Sequence, residues 1–504
     1  MPNEATIAAD AGPAASARGL LPGSLAGGAA GSQPTPDDPR AAQREALLHG
    51  PVLPTLLRLG LPTIAVLLAQ TVVAVAETYW TSFLGTEALA GVALVFPVLT
   101  LMATMSNGGI GGGVSSAVAR AVGGGRREEA DALLRHALVL AVVFGALFTA
   151  GTAIGGRALY AALGGKGPVL DTALLYSGWV FAGAVPIWAV NLLAAALRGA
   201  GEVRLPARVT LVGAAVLIPL SPALIFGLGP LPRMGVAGAG LAVVLYYLGA
   251  LAALMRHVAR GHGALTLRPG PLRRSEFGAI LGVGLVSALG TLMANLTTVL
   301  VTGAVGLVGG ADALAGYGVA SRLDWLLIPL LFGLGTAVVT MVGVATGAGQ
   351  HARGRRVAWT AAGLAAGATE AIGLVVAIFP DAWMDIFSTD PAVVRAGAQY
   401  LRIVAPLYGA VGAGMVLYFA RQGMGRMLWP FLAGATRLLV AGGGAWLLVR
   451  GGAGLASIFA MAAIASALFG LLNAAGLLLV RPANGGDRSV PYGLVLRAQD
   501  EKAC

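Results

Sequence analysis

Residues 61–85 read LPTIAVLLAQTVVAVAETYWTSFLG and hold a single ionisable group, Glu77. The run is about as long as the ~20 apolar residues needed to cross a bilayer. Ionising a carboxyl at that depth costs roughly 3 kcal/mol or more, so a retained one points to proton uptake, cation binding or a charged ligand. The alternative is a carboxyl snorkelling at the outer end of the helix. Composition places the rest of the chain in the same environment. Hydrophobic residues make up 57% of its 504 residues and charged residues 11%, against about 25% charged in globular proteins. Glycine, with 76 copies, suits close helix packing in membranes.

The expected fold is an all-α polytopic membrane protein. Twelve transmembrane spans are predicted near 56–82, 88–119, 133–156, 170–197, 205–228, 234–255, 277–306, 313–343, 357–380, 400–420, 428–449 and 452–480. Residues 1–50, rich in Ala, Gly, Pro and Ser, are expected to form a disordered cytoplasmic tail, and 481–504 a second one. No removable signal peptide is read in the first segment. The single cysteine, Cys504, excludes an intramolecular disulfide.

Loop charge predicts orientation. Arg120, Arg126, Arg127 and Arg135, then Arg198, Arg204 and Arg208, fall in alternate loops, and the series continues through Arg274, Arg353–Arg356 and Arg426. The opposite loops hold only Arg157, Lys166, Arg233, Arg395 and Arg450. The positive-inside rule puts the Arg-rich side and both termini in the cytoplasm, hence a multi-pass protein of the cell (inner) membrane. Because the arginines sit in short loops, the net charge of +11 is not read as nucleic-acid binding.

The chain also repeats. TEALAG (86–91) returns as ADALAG (311–316), AVGGGR (121–126) as ATGAGQ (345–350), and RGAGEVRLP (198–206) as RQGMGRMLWP (421–430). A nearly constant offset near 224 predicts two parallel six-helix repeats around a central cleft that can open to either side. The N-lobe is assigned to 51–260, an inter-lobe loop to 261–275 and the C-lobe to 276–480. Gln70, Glu77 and Thr81 share one face of the first span with Val73. Shifted by 225, Gln70, Val73 and Glu77 fall on Asn295, Thr298 and Thr302, and Thr81 falls near Gly306; adding Thr291 gives the seventh span a polar stripe of Thr291, Asn295, Thr298 and Thr302. Intramembrane polar residues face a bundle or wet cavity; the competing reading is hydrogen bonding within and between helices without a ligand.

From 61 to 98, LPTIAVLLAQTVVAVAETYWTSFLGTEALAGVALVFPV resembles the opening of multidrug and toxic compound extrusion (MATE) transporters. The likeness runs on through SSAVARAVGGGRREEA, LRGAGE, ALIFGLG, MGVAGAGLA and YGVASRLDWLLIPLLFGLGTAVVTMVGVATGAGQ, covering about 51–480. It implies two six-helix lobes forming a V-shaped central cavity and efflux driven by inward proton or sodium flow, with Glu77 at the first-helix acidic position. Where many members carry Asn and Asp in the fifth helix, this chain has Leu217 and Ser221, and Val243 replaces a sixth-helix threonine. Sodium needs several hard oxygen ligands, so H+ is expected in preference to Na+, with Glu77 as the ion-coupling group.

The expected activity is secondary active antiport, exporting small organic and preferentially cationic compounds in exchange for protons. The protein is expected to act as a monomer among membrane lipids, with no metal, cofactor, catalytic residue or nucleic-acid partner. Two alternatives are a lipid-linked oligosaccharide flippase, which would usually show a strongly basic cavity, and a non-transporting scaffold or sensor. Gln70, Thr81, Ser221, Thr291, Asn295, Thr298 and Thr302 are the candidate cavity residues. Glu370 is a candidate second protonation site, or else pairs with Arg437 or another internal donor. Arg322 and Asp324 are read as structural residues at the outer membrane edge. GIGGG (109–113) lacks the Lys-Ser/Thr of a phosphate loop and lies in an apolar run.

Overall fold

The computed structural model describes residues 39–261 and 263–479; the expected tails at 1–38 and 481–504 lie outside them. The helices are α1 Pro39–His49, α2 Val52–Ser82, α3 Thr86–Thr104, α4 Ile110–Gly123, α5 Arg127–Ala162, α6 Gly167–Ala182, α7 Ala184–Gly199, α8 Arg204–Phe226 and α9 Val236–Ala259. They continue as α10 Arg274–Ala320, α11 Arg322–Gly347, α12 His351–Ile378, α13 Pro380–Met384, α14 Pro391–Val404, α15 Tyr408–Met424, α16 Leu428–Arg437, α17 Gly444–Arg450 and α18 Leu455–Leu479.

Ten helical runs are long and apolar enough to cross a membrane, and the pair α6–α7, bent by 48°, adds an eleventh. One of the ten, Arg274–Gly347, holds 74 residues, about 110 Å at helical rise and far more than one bilayer. Gly310, with φ 67° and ψ −158°, breaks it. Tyr317 lies within interaction range of Thr302, although a straight helix would hold the two some 20 Å apart. The chain therefore turns back at Gly310, and the crossings number twelve.

The repeat is visible in backbone conformation. Left-handed glycines recur 224 or 225 residues apart: Gly85 with Gly310, Gly125 with Gly349, Gly201 with Gly425, and Gly227 with Gly452. Each pair ends equivalent helices where a Cβ would be strained.

One expectation is corrected. Residues 39–49 form a helix rather than part of a disordered tail. Leu47 and Leu48 are buried, Arg44 donates to the Gly123 carbonyl at 2.8 Å, and Arg353 donates to the carbonyls of Leu47 and Gly50. Two apolar side chains in a polar segment sufficed, because both repeats offer them a surface.

Two buried cores result. One draws on residues 88–281, the other on 301–477 together with residues of α1, the start of α2, and Ala119 and Val203. Four spans are interrupted midway: by π turns at 105–109 and 438–443, by Gly183, and by a short turn at Ala405–Leu407. The segments on the Arg-poor side of these breaks, α3, α6, α14 and α17, pack within their own repeat. On the Arg-rich side, α4, α7 and α15 pack across to the other repeat, as the unbroken α2 and α11 do, whereas α16 packs within its own. Gly60 lies against Gly333, Gly113 against Ile280 and Gly284, and Gly123 against Val344. Thr340 donates to the Arg198 carbonyl at 2.8 Å, and Ser116 donates to the Gln422 carbonyl. The repeats thus meet at the Arg-rich end, and the wedge between them widens toward the other. GIGGG is part of this closure: a Cβ on Gly112 would strike the Gln422 amide.

Candidate functional site

Glu77 lies in the outer half of α2 and is half-buried. Ser221 of α8, fully buried, donates its hydroxyl to Glu77 Oε2 at 3.0 Å. Glu77 Oε1 is also buried and has no hydrogen-bond partner among the described residues. Around the pair, Leu217, Leu224 and Ala242 form a small apolar core with Val73 and Tyr246 packed on it. The fully packed ring of Tyr176 in α6 stands within electrostatic reach. The carboxyl therefore turns inward to its own repeat. Ser221 can approach it because Pro219 and Pro222 deny α8 two backbone donors and loosen the helix there.

The structure separates the other candidates. Thr81 is buried but donates to the Glu77 backbone carbonyl at 2.7 Å, a local i−4 bond. Gln70 is exposed, with no hydrogen bond to Glu77. On α10, Thr291, Asn295, Thr298 and Thr302 donate in turn to the carbonyls of Ser287, Thr291, Ala294 and Thr298. The threonine hydroxyl donors are thus satisfied within the helix, leaving their lone pairs and one N–H of Asn295 to offer.

Glu370 does not pair with Arg437. The turn at Ala405–Leu407 starts α15 afresh, leaving the first N–H groups of that helix without partners. Gly409 N–H donates to Glu370 Oε2 at 2.7 Å, and neighbouring Thr369 donates to the Tyr408 carbonyl at 2.9 Å. Glu370 caps a broken span. Glu370→Gln keeps an acceptor there and should leave melting and transport close to wild type. Glu370→Leu leaves a buried N–H unmet and should cost about 1–3 kcal/mol, read by thermal unfolding in detergent. Equal stability of the two variants would refute the capping role.

Asp324 also differs from expectation. It lies about 20 Å along the helix from Gly310, inside the second repeat rather than at a membrane edge. Tyr400 donates to its Oδ2 at 2.7 Å and Tyr408 to its Oδ1. Tyr317, Tyr400 and Phe459 pack edge-on and stacked beside it. Arg322, two residues earlier, points elsewhere, over the Phe387 ring. The aromatic partners lie 76 and 84 residues away in sequence, so no local pattern marks the cluster.

Two repeated six-span bundles, joined at one end and each enclosing a half-buried acid, define a multi-pass membrane transporter. The MatE family model matches residues 62–223 and again 287–446, once per repeat. The chain belongs to the MATE family. An FAD transporter of Shewanella oneidensis is 32% identical over 208 residues, an alignment spanning 41% of this chain and 46% of that protein. The probable multidrug resistance protein NorM of Thermotoga maritima is 27% identical over 386 residues, 75% of this chain and 81% of the relative. Among solved structures, a MOP superfamily transporter from Pyrococcus furiosus, described as having a binding pocket of reverse polarity, superposes with a TM-score of 0.77 at 25% identity. The outward-facing conformation of a multidrug resistance MATE transporter does so with 0.76 at 26%. Both alignments cover 86% of this chain and 96% of the other.

Proposed function

We propose that the protein is a proton-coupled antiporter that expels organic compounds, cationic ones foremost, with Glu77 as the coupling group. The observation that supports this most is the Glu77 carboxyl itself: one oxygen on Ser221, the other buried and unbonded, in apolar walls. A carboxylate withdrawn from water is costly unless it gains a proton or a cation. A proton needs one oxygen. Sodium needs several, and Leu217 and Val73 supply none.

With the wedge open on the Arg-poor side, a proton entering from that side neutralises Glu77 and discharges a bound cation. When the Arg-rich end opens, the carboxyl meets water again, loses the proton and accepts the next cation. One negative charge serves two competing ligands, so they move in opposite directions. The alternation requires the closed end to part: its glycine contacts, the Ser116–Gln422 and Thr340–Arg198 hydrogen bonds, and the packing of the start of α2 on the second repeat.

The test is uptake of a fluorescent organic cation into inverted membrane vesicles, with pH and sodium gradients imposed separately. Uptake should follow the pH gradient and ignore sodium. Uptake that follows sodium at constant pH would reject proton coupling.

A further inference from the structure

Arg437 is a cation in the middle of a membrane span, and the proton cycle makes no use of it. It ends α16, nine helical steps from Leu428 and thirteen from Arg450, or about 14 and 20 Å. Its side chain is too short to bring the guanidinium to either headgroup region. It faces the second repeat, within electrostatic reach of Asp324, Tyr400 and Tyr317, and rests over the Phe469 ring at 5.7 Å. The residue stays partly open, unlike the tyrosines around it, which are 3–7% exposed.

Asp324 is the obvious counterion, yet Arg437 makes no ion pair or hydrogen bond among the described residues. Both Asp324 oxygens are engaged by Tyr400 and Tyr408. Asp324 therefore balances the charge at a distance and leaves the guanidinium fork, with its five donors, unclaimed. The π turn at Leu438–Gly443 begins immediately after Arg437, and such turns frequently mark functional positions in helices. A planar fork of donors beside an aromatic face is the arrangement that binds carboxylate or phosphate bidentately.

We infer that Arg437 docks an oxyanion, a carboxylate or phosphate group, carried by the compounds this protein transports. The second repeat then complements the first: Glu77 attracts positive charge and Arg437 negative charge, so zwitterionic and anionic organic compounds join the substrate range. The inference rests on the transporter fold and is independent of proton coupling at Glu77.

The test measures binding of FMN and of riboflavin, which share a ring system and differ by a phosphate, to purified protein by flavin fluorescence in detergent. Wild type should bind FMN at least about tenfold more tightly than riboflavin. Arg437→Ala should remove that difference by weakening FMN alone, since a charge-assisted hydrogen bond is worth at least a factor of ten. Arg437→Lys, which keeps the charge and loses the fork, should fall between. Thermal unfolding shows that each variant is folded, and the lysine form keeps the test decisive if the alanine form is not. The titration is made at equilibrium with no pH gradient, so a failure of proton coupling leaves its outcome untouched and remains distinguishable. Wild-type protein that binds neither flavin up to millimolar concentration, or both equally, overturns the inference. So does FMN binding that Arg437→Ala leaves intact. Repeating the titration with added phosphatidylglycerol separates the sources: competition with lost selectivity would assign the site to lipid phosphate and overturn the transport role.

Discussion

Glu77→Gln should reduce cation uptake driven by an imposed pH gradient to the level of protein-free vesicles, while the protein still folds and inserts. The side-chain amide has nearly the shape of the carboxyl, and its carbonyl oxygen still accepts from Ser221. Replacing a charged acceptor by a neutral one should change stability by only about 1–2 kcal/mol. What disappears is the proposed coupling group, the carboxyl that would exchange a proton for a cation. The adjoining apolar core offers no carboxyl to substitute: it is built from Leu217, Leu224 and Ala242, with Val73 and Tyr246 packed on it. Glu77→Asp keeps the charge but shortens the reach to Ser221, and it should retain slowed coupling. Wild-type, gradient-driven uptake by the glutamine variant would remove Glu77 from the mechanism.

The second large effect concerns the closed end. A Cβ on Gly123 would stand 2.0 Å from the Val344 carbonyl oxygen, and one on Gly347 would stand 2.0 Å from that of Arg120. Both obstacles are backbone, so no rotamer change relieves them, and α4 and α11 would have to separate by roughly 1 Å or more. Gly123→Ala and Gly347→Ala should each lower the melting temperature, consistent with overpacking costs of about 1–3 kcal/mol, and should stop transport. Spin-label distances across the Arg-rich ends should lengthen. Gly155→Ala is the control: it lies in α5 with nothing within 4 Å of the added methyl. It should be neutral or stabilising by up to ~1 kcal/mol. If all three variants melted and transported alike, the close approach of the repeats would be wrong.

These two effects have different visibility in the chain. Glu77 stands out because a charge is improbable in an apolar run, which is a local property. Gly123 and Gly347 are two glycines among 76, and only the crossing of two helices 220 residues apart makes them critical. Ser221 was reachable because the likeness to MATE proteins pointed to its position. The Asp324 cluster was not, since Tyr400 and Tyr408 come from a different span and reach it only after packing. For Glu370 the sequence left the internal donor unnamed for the same reason: it is a backbone N–H released by a turn that the apolar pattern does not reveal. The helix at Pro39–His49 escaped because its two apolar contacts are too few to stand out in a polar segment.

From its amino acids alone the chain was bound to be a twelve-span membrane bundle, internally duplicated, with one acid out of place. Hydropathy, loop charge and repetition are properties of segments, and bilayer thickness turns them into topology. Tertiary structure alone decided which end is closed, which acids are satisfied and which cation is left without an acceptor. Those outcomes depend on distances between residues far apart along the chain, and a polar group's need for a partner is met or missed only where helices come together.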